Sequence, residues 1–139
     1  MAISGPMAIQ EGLMEQLDLV CKDAVAGEDL EVFLFSNDFT IIPTMTNADL
    51  TPITTNGGEK TTLTKSLFAA ATNANPVVSR WNGTTGKVWN ITGALTNYGW
   101  GIRGVTSQKL YYAENWGVNT VANGNTVTVQ PLDLKLRIV

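Results

Sequence analysis

Hydrophobic and polar positions alternate with two different periods along this chain, and the change of period divides it. In residues 7 to 22, "MAIQEGLMEQLDLVCK", Ile9, Leu13, Met14, Leu17, Val20 and Cys21 recur at spacings of three and four. They form one apolar face opposite Gln10, Glu11, Glu15, Gln16, Asp18 and Lys22, which predicts a short amphipathic helix. Pro6 stands near its first turn and Gly27 in its exit. Gly12 weakens such a helix by about 1 kcal/mol relative to Ala, so it needs packing to persist. From "DLEVFLFSN" onward the period is two, with Leu30, Val32 and Leu34 on one face and Glu31, Phe33 and Phe35 on the other. Apolar residues on both faces near its middle predict a central strand.

Between Asn37 and Lys60, Pro43, Pro52 and an "NGG" turn interrupt any long element, and the pattern predicts a long excursion with short strand pieces. Seven further strands are expected, at 61 to 68, 76 to 81, 86 to 92, 97 to 104, 108 to 115, 125 to 130 and 132 to 138. Turns rich in Asn, Gly or Ser, such as "NGTTG" and "NGN", separate them. Turn signals at this spacing point to a mostly β protein, a sandwich or barrel rather than a sheet with crossover helices. The length of 139 residues is that of one domain, with 1 to 27 as an N-terminal arm and helix and 28 to 139 as the β-sandwich.

The hairpin "NYGWGIRGVTSQKLYYAENW" raises the main functional question. Tyr98, Trp100 and Ile102 share one face of its first strand, while Gly99 and Gly101 leave the other almost bare. The large residues either line the core or form an aromatic platform for sugar rings, with Asn97 or Asn115 supplying hydrogen bonds. The glycine face permits close approach of another element, including another subunit.

Composition sharpens the β reading. Charged residues make up 15% of the chain, against roughly 25% in typical soluble domains, so eighteen Thr and twelve Asn supply most of the polar surface. Charge is divided along the chain. Residues 1 to 59 hold ten acids against Lys22 alone, −9, and residues 60 to 139 hold eight bases against Glu114 and Asp133, +6. That division is either self-complementary within one fold or suited to side-by-side association with copies of the chain or a charged shell. The basic residues are scattered singly, which argues against nucleic acid. No run of about 18 apolar residues predicts a membrane span, and "MAISGPMAIQEG" lacks the pattern of a signal peptide, so the chain is expected to remain where it is made.

Catalytic chemistry is sparse. The sequence has no histidine, which removes His-activated nucleophiles and His metal sites, and its single Cys21 excludes an internal disulfide framework. "SNDFT" has neither the ligand count nor the glycine of a calcium loop, and "NGGEK" lacks P-loop spacing. Asn82 and Asn90 match glycosylation acceptors that a chain rich in Asn and Thr produces by chance. Glu114, beside Trp116, is the one carboxylate among the later strands worth testing as a catalyst. No catalytic set, cofactor or metal is expected.

The order of segments carries a resemblance. A helix, a strand ending "FLFSN", a loop with "ADLTPIT", then "VVSRWN", "YGWGIRG", "KLYYAENW" and "VANGNTVTVQPLDLKL" resemble a family of small bacteriophage and prophage virion proteins over residues 9 to 136. Trp100 followed by Gly101 departs from the bulkier residues of that pattern, as does the length of the Asn37 to Lys60 excursion. The resemblance implies a jelly-roll-like β-sandwich with an N-terminal helix. It also implies a capsid cement or decoration protein, often a homotrimer, made in the host cytoplasm and carried on the virion surface. Its partner would be the major capsid protein, gripped by Ile3, Met7, Ile9 and Leu13, with Gly99 and Gly101 as a further capsid or subunit contact. The same N-terminal segment would otherwise close the open end of its own sandwich. The alternative is a tail-tip or head-fibre module reading host glycans through Trp81, Trp100, Tyr112 or Trp116.

Overall fold

A computed structural model describes residues 28–64, 68, 70–71, 77–81, 86–129 and 133–136. The helix expected over 7 to 22, with Ile3, Met7, Ile9, Leu13 and Cys21, lies outside the described residues. The strands are β1 (Leu30–Phe35), β2 (Thr61–Leu63), β3 (Val77–Arg80), β4 (Lys87–Asn90), β5 (Leu95–Gly104), β6 (Leu110–Val121), β7 (Thr126–Val129) and β8 (Asp133–Leu136). Every pairing between them is antiparallel, so the described chain is mostly β. Each of the eight expected strands has a counterpart. The one expected at 61 to 68 is shorter, ending at Leu63, while Phe68 makes a single bridge to Trp81. The one expected at 108 to 115 is longer, continuing to Val121.

The chain divides into two compact units. One comprises Glu28–Thr64 and Lys87–Val129. The described residues of the other lie within 65–86 and 130–139, where β3 pairs with β8 from Val77 opposite Leu136 to Arg80 opposite Asp133.

In the first unit a four-stranded sheet has the order β2-β1-β5-β6, and β4 and β7 form a separate pair. β1 is central and buried at every residue, as its two apolar faces predict. Directly opposed residues of an antiparallel pair share a face. Leu30 therefore meets Leu63, Val32 meets Ile102 and Leu34 meets Trp100 on one side, while Phe33 faces Gly101 and Phe35 faces Gly99 on the other. Each such side chain contributes about 1.5–3 kcal/mol by leaving water. In the β4–β7 pair Trp89 stands opposite Val127, both buried, and the Trp89 indole donates to the Glu59 carbonyl at 2.9 Å.

The excursion after β1 is held by side chains rather than by strands. Its described regular structure is one 3-10 turn, Asn47–Asp49, and a single bridge between Pro52 and Phe35. The neck is closed by Ser36 N–H to Thr51 O at 2.9 Å and Ile53 N–H to Leu34 O at 2.8 Å. Asn37 then substitutes for a strand, donating to Asp49 O at 2.8 Å and accepting from Thr51 N–H at 2.7 Å. Asn37→Ala loses both bonds and is expected to cost about 1–2 kcal/mol, read as a lower urea midpoint at unchanged slope. A cost near zero would mean that the backbone bonds alone close the neck.

Candidate binding surfaces

The aromatic hairpin separates into residues that fill the core and two, Tyr111 and Trp116, that leave it. Trp100 is 4% exposed and Ile102 is fully buried, so both line the interior. Tyr112 lies beside Trp100, ring centroids 4.9 Å apart and planes 35° apart. Tyr98 packs against a cluster of Phe33, Phe35 and Leu50. The Trp100 indole donates to the Glu114 carboxylate at 2.8 Å, so the carboxylate singled out in the sequence tethers a core tryptophan. Trp81 belongs to the other unit.

The two asparagines considered as sugar ligands are committed within the chain. Asn115 donates to Asp38 Oδ1 at 3.0 Å and to Phe39 O at 2.9 Å, fastening the excursion to β6. Asn97 is fully buried and its Oδ1 accepts the Trp116 indole N–H at 2.9 Å. Gly99 and Gly101 are buried as well. A Cβ on Gly101 would meet the Phe33 ring at 2.8 Å, and one on Gly99 the Phe35 ring at 2.5 Å. The space beside these glycines is filled by the chain's own β1.

Below the excursion lies a charged network. Glu31 is 1% exposed in the middle of β1, and Arg103 Nε donates to it at 2.7 Å. Lys60, half exposed, adds an ion pair at 3.0 Å, and Gln108 a long hydrogen bond at 3.4 Å. Burial, the largest single influence, pushes the Glu31 carboxyl up, but the donors Arg103, Lys60 and Gln108 and the Arg103 charge together hold it below the usual range. Arg103 also donates through Nη1 to Asn47 Oδ1 at 2.7 Å and lies 4.5 Å over the Phe33 ring. Its geometry is that of a structural clamp between sheet and excursion. Among the described residues no three His, Cys, Asp or Glu side chains are grouped to hold a metal ion, and no helix is long and apolar enough to cross a membrane.

Two grooves open from β6. The first, of about 370 Å³, lies between Ile41, Ile42, Pro43 and Met45 of the excursion and Leu110 to Ala113 of β6. Ile41, Ile42 and Tyr111 are exposed there, an apolar patch of the kind that marks contact surfaces. The second, of about 380 Å³, is lined by Trp116, Val118 and Asn119 of β6 and Thr126 to Thr128 of β7.

The chain matches no protein family, no curated protein and no solved structure. Its own geometry therefore carries the functional argument. Ile41 and Ile42 were not singled out in the sequence, although two adjacent isoleucines before Pro43 in a loop leave no strand to bury them. Glu31 and Arg103 had a signal too: a carboxylate inside an apolar strand requires a cation.

Proposed function

We propose that this chain is a non-enzymatic structural protein of a bacteriophage virion. It is a capsid cement or decoration protein with a jelly-roll-like β-sandwich and an N-terminal helix, made in the host cytoplasm and carried on the capsid surface. As a homotrimer it binds the outer shell and bridges neighbouring major capsid proteins, and multivalent attachment turns weak single contacts into lasting ones.

The observation that supports this reading best is the groove beside Ile41, Ile42 and Tyr111, because exposed aliphatic and aromatic side chains around a concavity suit a protein partner. The ordered segments of the resemblance support it as well, since "FLFSN", "YGWGIRG" and "KLYYAENW" fall on β1, β5 and β6. Quantitative mass spectrometry of purified virions tests it. A fixed simple ratio to the major capsid protein is expected; a few copies per particle, or none, would overturn it. Ile42→Glu is expected to abolish attachment to expanded shells while leaving the free protein within about 0.5 kcal/mol of native stability, because Ile42 is exposed. Attachment unchanged by this charge would remove the groove from the contact.

A further inference from the structure

We infer that the second groove, built around Trp116, is a binding subsite for a neutral saccharide ring. Of the aromatics in the hairpin, Trp116 is the tryptophan that stands out of the core, 37% exposed. It is placed there by an irregularity in the sheet. Asn97 pairs with Asn119 and Gly99 with Asn115, so Trp116, Gly117 and Val118 of β6 stand against Tyr98 alone. Gly117 turns through φ +85, with its N–H donating to Asn115 Oδ1 at 2.7 Å. A bulge of this kind re-aims side chains, and such irregularities cluster beside functional sites.

The indole is held rather than free. Its N–H donates to Oδ1 of Asn97, a fully buried amide whose Nδ2 in turn donates to Asn119 O at 3.4 Å. A buried amide spent on fixing an exposed ring pre-organises a flat apolar surface, which lowers the ordering cost of a ligand laid on it. Around the ring are Val118, 67% exposed, and the side chains of Asn119, Thr126 and Thr128. These three side chains bring a neutral amide and two hydroxyls, groups that both donate and accept, to the rim of the ring. Among the described residues no charged side chain lines the groove.

The ligand class follows from this set. A phosphate backbone or an acidic peptide needs lysine or arginine, and none lines the groove among the described residues. A sugar ring offers an apolar C–H face to an indole and hydroxyl groups at its rim to neutral amides and hydroxyls. The volume lies at the small end of the range for small-molecule sites, about 300–1,000 Å³, which suits a short segment of oligosaccharide. The subsite stands independently of the capsid reading.

The test is saturation-transfer NMR and calorimetry of the full chain with chitotriose, maltotriose and galactobiose, and with sialyllactose as a charged comparison. Binding of at least one neutral sugar is expected, undiminished in 1 M salt. Trp116→Ala and the milder Thr128→Val should each weaken it, the first by about ten-fold or more. Thr128 is exposed and Val suits a strand position, so Thr128→Val stays informative if Trp116→Ala fails to fold. Ile42→Glu in the first groove should leave binding unchanged. No binding of any neutral sugar, binding only of sialyllactose, or binding indifferent to Trp116→Ala and Thr128→Val would each overturn the assignment.

Discussion

Arg103→Met is expected to destabilise the protein by about 3–5 kcal/mol, because it leaves a buried carboxylate without its main partner. Glu31 is 1% exposed and Arg103 6% exposed, their contact is 2.7 Å, and β1 is flanked by strands on both sides. In the variant Glu31 keeps the half-exposed Lys60 and a 3.4 Å bond from Gln108, neither of which replaces a buried guanidinium. The substitution also breaks the Nη1 bond to Asn47, releasing the 3-10 turn from the sheet. Urea denaturation at neutral pH measures the loss, and a cost below about 1 kcal/mol would show that Lys60 suffices. Glu31→Leu combined with Arg103→Met should recover most of the stability, since an apolar pair carries no desolvation cost.

The acid limb should report the same network. Glu31 has a folded-state pKa below its unfolded value, so its contribution is fully present above the unfolded carboxyl pKa of about 4.3 and is lost as pH falls through the depressed folded value. Arg103→Met removes the strongest donor, and the dependence of stability on pH between about 5 and 3 should flatten. An equally steep acid limb in the variant would assign that loss to other carboxylates.

The strands were legible in the sequence where alternation runs unbroken beside Asn and Gly turns, as in β4 and β7, and where an apolar run on both faces marks a central strand, as in β1. The end of β6 was not, because the Trp116–Val118 irregularity interrupts the period and imitates a strand end near Asn115. The excursion was illegible for a different reason. Asn37 reaches Thr51, Asn115 reaches Phe39 and Arg103 reaches Asn47, across 14, 76 and 56 residues, and no local pattern encodes partners so far apart. For the candidate sites, the sequence showed where the aromatics lie but not which of them is buried. Trp100 and Trp116 share a parity with their strands, yet Trp100 is tethered to Glu114 in the core while the bulge carries Trp116 outward. Gly99 and Gly101 likewise read as open backbone until the register placed Phe35 and Phe33 across from them.

That register makes Gly99→Ala the second substitution with a large expected effect, about 3 kcal/mol, at the upper end for a single added methyl. The new Cβ would meet the Phe35 ring at 2.5 Å and would collide with the Glu114 carbonyl oxygen. The ring is fully buried and the carbonyl belongs to β6, so relief requires opening the β5–β6 ladder. At Gly101 the nearest atom is the Phe33 ring at 2.8 Å and the Tyr112 carbonyl is farther, at 3.1 Å. Gly101→Ala should therefore cost less, and Phe33→Leu should recover part of that cost by shortening the opposing side chain. Phe35→Leu should not rescue Gly99→Ala, since the backbone collision remains. Two double-mutant cycles on thermal or urea unfolding separate these cases, with favourable coupling expected at Phe33–Gly101 and little at Phe35–Gly99. Near-native stability of Gly99→Ala would mean that β6 can move away from β5 at this point, and since Asn115 and Trp116 follow directly on Glu114, both grooves would then be adjustable rather than fixed surfaces.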